Sequence, residues 1–294
     1  MQRFLSIAII ICLLFNSSSA KSQINSHKTV LVLLSLSPTT PAYGGILNGL
    51  RHELDKALGE SYEMHIEFLA AEQYPRGEYP KENFDVYNEK YSKLKLDLLI
   101  CVGTDIVSIV KKSGDVYLLN LPTVAVDFDL SDYGIYFDMQ LNGQTAAIAI
   151  KMNADSTLSG ALALFPNTTS IYFISGVSKS DRVYEKMSQL AAAKLKGNRK
   201  LIFLHDMAMD DVIQVVRHLP KNSIIILTSF SADSKGVPYY NPESARLISN
   251  AANAPLFTYT DMGFGDGAVG GYQVSFHNAG AVTGMSLEGS YNFV

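Results

Sequence analysis

The 294-residue sequence contains no tryptophan, only two cysteines and only 18% charged residues. Two cysteines cannot build the disulfide framework of a small secreted scaffold, so stability must come from an apolar core. Lysine and arginine number 24 against 28 aspartate and glutamate, and no basic run occurs. We therefore expect no nucleic-acid partner, because binding to phosphates needs a basic surface. Hydrophobic residues make up 47% of the chain, enough for one large α/β domain or two lobes.

The sequence also lacks the common catalytic and metal-binding motifs. It contains no G-x-S-x-G elbow, no phosphate-binding P-loop, no H-E-x-x-H and no C-x-x-C. Its six histidines are scattered without ligand spacing, so we expect no metal site and no cofactor. The glycines Gly263, Gly265 and Gly267 precede a predicted strand, whereas a dinucleotide fingerprint would follow one. These glycines predict a tight loop.

The first twenty residues have the pattern of a signal peptide. Arg3 precedes the apolar run Phe4–Phe15, and Ser18 and Ala20 place small side chains at −3 and −1 of a cleavage point. An uncleaved membrane anchor is the alternative. Either way, residues 21–294 are expected to be periplasmic or extracellular. Removing residues 1–20 leaves one thiol, Cys101, which lies in an apolar segment and is expected to be buried and inert.

The remainder alternates short β-branched runs with amphipathic segments, which predicts α/β architecture with mostly parallel sheets flanked by helices. The pattern repeats, so we predict an N-terminal lobe over residues 21–140 and a C-terminal lobe over 141–294. The segment Leu141–Met152 is predicted to be a helix. The chain after Phe276 is expected to return to the first lobe only briefly, leaving that lobe without its final covering element.

Polar residues recur where the predicted strands end. In open parallel sheets, ligands bind beyond the carboxyl ends of the strands, where helix N-termini point inward. The aspartates could accept from an amine or hydroxyl of a solute, although each such residue alone is more often a cap or turn residue. The candidate ligand-binding residues are Ser37, Thr39, Tyr43, Gly103, Thr104, Asp127, Ser175, Ser178, Asp181, Phe230, Asp233, Asp261 and Gly263.

Several segments of the second half resemble a known family. The segments Ile171–Arg182, Leu219–Leu227, Phe230–Gly236, Asn253–Leu256 and Gly267–Gly271 resemble the periplasmic-binding-protein-like sensor domains of bacterial histidine kinases. Those domains are similar to substrate-binding proteins of ABC transporters. The resemblance covers about residues 28–285 and implies a two-lobed type I periplasmic-binding-protein fold without catalysis.

The resemblance predicts an exported protein whose lobes close on a small polar or zwitterionic solute, such as an amino acid or an organic acid. A membrane permease or a sensor kinase would then recognise the closed form. Two alternatives remain open. One is a hydrolase or isomerase that uses Asp127, Asp233 or Asp261 as acid or base, and the other is an interaction domain that has lost its ligand.

Overall fold

The computed structural model describes residues 27–71, 74, 79–136 and 138–290. The predicted signal peptide lies outside these residues. No helix in the described ranges is both long enough and apolar enough to cross a membrane.

The first lobe is built on a five-stranded parallel sheet with the strand order β2-β1-β3-β4-β5. Helix α1 covers one face and helices α2 to α4 cover the other, so the central strands are buried on both sides. The elements are β1 (Lys28–Leu34), α1 (Pro41–Leu58), β2 (Tyr62–Phe68), α2 (Glu82–Tyr91), β3 (Leu98–Val102), α3 (Ile106–Ser113), α4 (Val116–Leu119), β4 (Thr123–Asp129) and β5 (Thr145–Lys151).

The second lobe repeats this plan with the strand order β10-β9-β8-β6-β7, again with parallel pairs throughout. Separate apolar clusters fill its two faces. Its elements are α5 (Ala154–Leu164), β6 (Ser170–Ser175), α6 (Lys179–Ala193), β7 (Lys200–Leu204), α7 (Met209–Val216), β8 (Ser223–Ser229), α8 (Asn241–Ala251), β9 (Leu256–Thr258) and β10 (Ala268–Gly270). The predicted two-lobed α/β architecture is thus confirmed.

The helix predicted at Leu141–Met152 is wrong. This segment contains β5, which pairs in parallel with β4 from Thr145 to Lys151. Ala146, Ile148 and Ile150 alternate along β5 and pack against the core of the first lobe. Strand pairing has outweighed the helix preference of an alanine-rich run. Because β5 belongs to the first sheet, the chain enters the second lobe after Lys151, about ten residues later than the predicted boundary.

The first lobe also has the covering element that was expected to be missing. After the second sheet, the chain returns as helix α9 (Phe276–Ser290), which packs against α1. Phe276 and Leu287 are buried in the same cluster as the apolar face of α1. The two helices approach so closely that a side chain at Gly49 or Gly280 would collide with backbone of the opposite helix.

Cys101 is buried in the middle of the first sheet, as predicted. Burial raises the pKa of its thiol to about 12, so almost no thiolate forms at neutral pH. In a Cys12→Ser protein, Cys101 should therefore resist a thiol reagent such as dithionitrobenzoate until the first lobe unfolds. Rapid labelling under native conditions, with circular dichroism unchanged, would contradict this placement.

Candidate functional site

The carboxyl ends of β3 and β4 form the first lobe's wall of the cleft. Asp127, near the end of β4, is only 6% exposed. Its Oδ1 accepts a hydrogen bond from the Thr104 hydroxyl at 3.2 Å and another from the Phe128 N–H at 2.8 Å. Burial raises the pKa of Asp127 to about 7, although these two hydrogen bonds act in the opposite direction.

Aromatic side chains meet across the cleft. Phe128 packs against the apolar cores of both lobes. Its ring lies 6.1 Å from that of Tyr184 on α6 and 6.2 Å from that of Phe276, measured between centroids. Burial, and then the negative charge of Asp127, raise the pKa of the Tyr184 hydroxyl. Tyr184 of the second lobe therefore lies close to Asp127 of the first.

An ion pair joins the two lobes beside these aromatics. The Lys179 ammonium, at the start of α6, binds the carboxylate of Asp105, which follows β3. Both side chains are exposed, and such pairs contribute about 0–1 kcal/mol. Asp105 also adopts the left-handed region, with φ of 67°. The pair contributes little to folding, but it connects the two lobes.

A small cavity lies on the second lobe's wall, where β8 and β9 end beneath α8. Its volume is about 20 Å³, which is enough for about one water molecule. Hydroxyl groups dominate the polar part of its lining. The lining residues are Tyr184, Leu227, Thr228, Ser229, Asn241, Ala245, Thr258, Thr260, Met262 and Gly263. A cavity of this size does not hold a solute of amino-acid size.

Asp181 and its neighbours were predicted to face the cleft, but Asp181 is fully buried inside the second lobe. It forms a reciprocal capping box with Ser178 at the start of α6. Its carboxylate also accepts hydrogen bonds from the hydroxyls of Ser229 and Ser231 and from the Ser231 N–H. Ser175 donates to the Asp181 carbonyl at 3.2 Å and is likewise buried. These three predicted site residues organise the lobe internally.

Asp233 and Phe230 are also placed inside the second lobe. Asp233 accepts hydrogen bonds from the N–H groups of Lys235, Val237 and Met209 at 2.9–3.2 Å. Burial alone would raise the pKa of Asp233, but these backbone donors hold it below its usual range. Phe230 is fully buried against Tyr239. Both residues shape the loop after β8 rather than the cleft.

Asp261 and Gly263 lie where the chain crosses back to the first lobe. Asp261 Oδ2 accepts the N–H of Phe276 at 3.1 Å, at the first residue of α9. Its own N–H donates to the Val274 carbonyl at 3.0 Å. Asp261 therefore fixes the connection between the lobes, whereas Gly263 lines the cavity as the sequence suggested.

The remaining predicted residues lie in the first lobe. The Tyr43 hydroxyl contacts Ser35 Oγ at 3.1 Å and accepts the Leu36 N–H at 2.9 Å, which anchors the loop after β1. In that loop, Ser37 and Thr39 pair through their hydroxyls at 2.9 Å. Gly103 has φ of 102°, and a Cβ there would lie 2.4 Å from Ser35 Oγ. A side chain at position 103 would therefore clash.

The structure brings Asp127, Thr104 and Gly263 to the cleft, and it adds residues that the sequence analysis missed. These are Lys179, Tyr184, Thr228, Thr260 and Phe276. Tyr184 lies within α6 and Phe276 is the first residue of α9, so a search of strand-end loops could not find them. Within the described residues, no cluster of three or more histidine, cysteine, aspartate or glutamate side chains could hold a metal ion.

Two wound parallel sheets that meet across a cleft define a two-lobed type I periplasmic-binding-protein-like fold. No protein-family model matches the sequence, and no curated protein matches it. Solved structures do resemble it.

The domain of an ABC protein in complex with L-Trp from Streptococcus pneumonia superimposes with a TM-score of 0.57 at 14% identity, covering 90% of this chain and 86% of that one. A ligand-free, open substrate-binding protein with adhesive properties from Clostridium difficile superimposes with a TM-score of 0.56 at 15% sequence identity. The match covers 89% of this chain and 84% of that one. A LacI-family regulator from Weissella paramesenteroides with bound sucrose superimposes with a TM-score of 0.56 at 10% sequence identity. The match covers 89% of this chain and 92% of that one. At these identities the likeness shows the fold alone.

Proposed function

We propose that this chain is an exported small-solute-binding protein whose lobes hinge open to admit a solute and close around it. The observation that carries the proposal is the buried Asp127–Thr104 pair, which lies close to Tyr184, a residue that lines the small cavity on the opposite lobe. Fixed polar groups on two apposed walls are what a solute site between lobes requires. The fold's neighbours bind small molecules such as L-Trp or sucrose, which supports the same class of ligand.

The chemistry of the walls favours a polar or zwitterionic solute, such as an amino acid or an organic acid. Asp127 lacks a cationic partner among the described residues, so an ammonium group of the solute could pair with its carboxylate. The hydroxyls of Tyr184, Thr228 and Thr260 would receive the solute's other polar atoms. A permease or a membrane sensor would recognise the closed form, and no nucleic acid would take part.

Catalysis by the cleft aspartates is less well supported. An acid–base pair needs two titratable groups within hydrogen-bond reach. The only hydrogen-bond donors to Asp127 within the described ranges are a threonine hydroxyl and a backbone N–H. Asp233 and Asp261 accept backbone N–H groups elsewhere. We therefore propose binding rather than catalysis.

A second candidate is an interaction domain that has lost its ligand. The contact of Phe128 with Tyr184 and Phe276 favours it, because the protein's own aromatic rings occupy the cleft. The two candidates differ in one respect. A solute-binding protein must open, whereas an interaction domain has no need to.

A thermal-shift screen of amino acids and organic acids separates these candidates, because a solute that binds only the folded state raises Tm. We expect at least one solute to raise Tm and to make the protein more compact in solution scattering. Tyr184→Phe should weaken its binding roughly 3- to 10-fold, since one hydrogen bond is lost. Tyr172→Phe, which does not line the cavity, is the matched control. If the screen yields nothing and native mass spectrometry of protein from its host finds no co-purifying solute, the second candidate stands.

A further inference from the structure

We propose that closure of the two lobes takes up a proton, which is carried by the carboxyl group of Asp127. This inference rests on the proposed opening and closing of the cleft. The inference goes beyond that proposal because it makes the relative position of the lobes depend on pH even without solute.

Asp127 occupies a buried position in the closed form. Its side chain is almost fully buried, yet among the described residues its hydrogen bonds come only from the neutral groups of Thr104 and Phe128. None of the ion pairs among the described residues includes Asp127. A buried carboxylate without a cationic partner is costly, and protonation removes that cost.

Asp127 is faced by groups of its own lobe and of helices α6 and α9. In its own lobe, Asp105 repels it, and Lys151, the last residue of β5, pairs with Asp132. From α6, Tyr184 approaches it, while Lys179 is paired with Asp105 and Asp181 bonds within its own lobe. From α9, Phe276 packs on Phe128, and the neighbouring His277 ring lies 6.5 Å from that of His52. Among the residues that the structure describes, no positive charge is therefore placed to stabilise the ionised form.

The burial of the Asp127 carboxyl depends on closure of the two lobes. Tyr184, on α6 of the second lobe, contacts Phe128 and lies close enough to Asp127 for the charge of that carboxyl to raise the pKa of its hydroxyl. On this proposal, separating the lobes removes Tyr184 from beside Asp127 and exposes the carboxyl to water. Its pKa, which burial raises to about 7 in the closed form, would then return towards the ordinary value near 4. The closed form binds more protons than the open form between these two values. Closure is therefore favoured at low pH and weakened as the pH rises through this window, and the effect levels off above the upper value.

The test is small-angle scattering of solute-free protein at pH 5.5 and pH 8.5. The ratio of open to closed molecules should rise roughly thirtyfold between these pH values, so the radius of gyration should increase. Asp127→Asn, which imitates the neutral carboxyl, should remain compact at both. Asp129→Asn, on the same strand but with a carboxyl whose pKa is held below its usual range by Ser131, should behave like the wild type. In Thr104→Val, loss of a hydrogen bond that lowers the pKa of Asp127 should move opening to higher pH.

An unchanged radius of gyration in the wild type, or an equal change in Asp127→Asn, would overturn the proposal. Solute binding is measured separately by thermal shift at a single pH. A protein that binds solute without pH-dependent closure would disprove this inference and leave the proposed function standing. A protein that opens as the pH rises but binds no solute would support this inference and contradict the proposed function.

Discussion

Replacing Gly49 with alanine should lower the free energy of unfolding by about 3 kcal/mol, because the new methyl group has no space between α1 and α9. A Cβ at Gly49 would lie 2.0 Å from the His277 carbonyl oxygen and 2.8 Å from the Ala281 nitrogen. Both are backbone atoms of α9, so no side-chain rotation can relieve the clash. The helices must separate, and the burial of Phe276 and Leu287 would suffer.

Gly44→Ala is the matched control in the same helix. Gly44 is exposed, and no atom lies within 4 Å of a Cβ placed there. Alanine at position 44 should therefore stabilise the protein by about 0.5–1 kcal/mol, through helix propensity alone. Urea denaturation of the two variants measures both effects. Equal stabilities would mean that α9 does not pack on α1 as described.

The same contact explains why the sequence did not reveal α9. Gly280 and Gly284 lower the helix propensity of this segment, and its polar and apolar residues form only a weakly amphipathic pattern. The partner helix explains the glycines, because a Cβ at Gly280 would lie 1.9 Å from the Ile46 carbonyl oxygen. Such an approach is a tertiary property that local sequence patterns do not encode.

The sheets were more predictable than the site. Buried β-branched and leucine-rich runs such as β1, β3 and β8 were recognisable because a central parallel strand is apolar on both faces. The edge strand β5 was not, since its alanines also suit a helix. Its alternation of more and less exposed residues became informative only once β4 was known to lie beside it.

For the site, the sequence pointed to the carboxyl edge of each sheet, but it could not tell which polar residues remain available to a solute. Aspartate and serine are selected at helix starts both for capping and for ligand contact, and the two uses look alike in sequence. Asp127 faces the cleft, whereas Asp181 turns inward to cap α6. Their different roles depend on the serines that the loop after β8 brings to Asp181.

Asp181→Ala should lower the free energy of unfolding by about 3–5 kcal/mol, which makes Asp181 a structural residue rather than a solute contact. Four donors surround its carboxylate: the Ser178 N–H, the Ser229 hydroxyl, and the N–H and hydroxyl of Ser231. Alanine would leave these groups buried or half-buried without their acceptor, and the loop after β8 would lose its attachment to α6.

Asp211→Ala removes an exposed acidic residue from the first turn of α7 and serves as the control. Its loss should cost about 0.3–1 kcal/mol, the usual contribution of a charge near a helix N-terminus. Thermal and urea unfolding of both variants would measure the difference. If Asp181→Ala kept its stability and lost only the affinity for a solute identified by thermal shift, Asp181 would be a solute contact after all, and the lobes would have to open far enough to expose it.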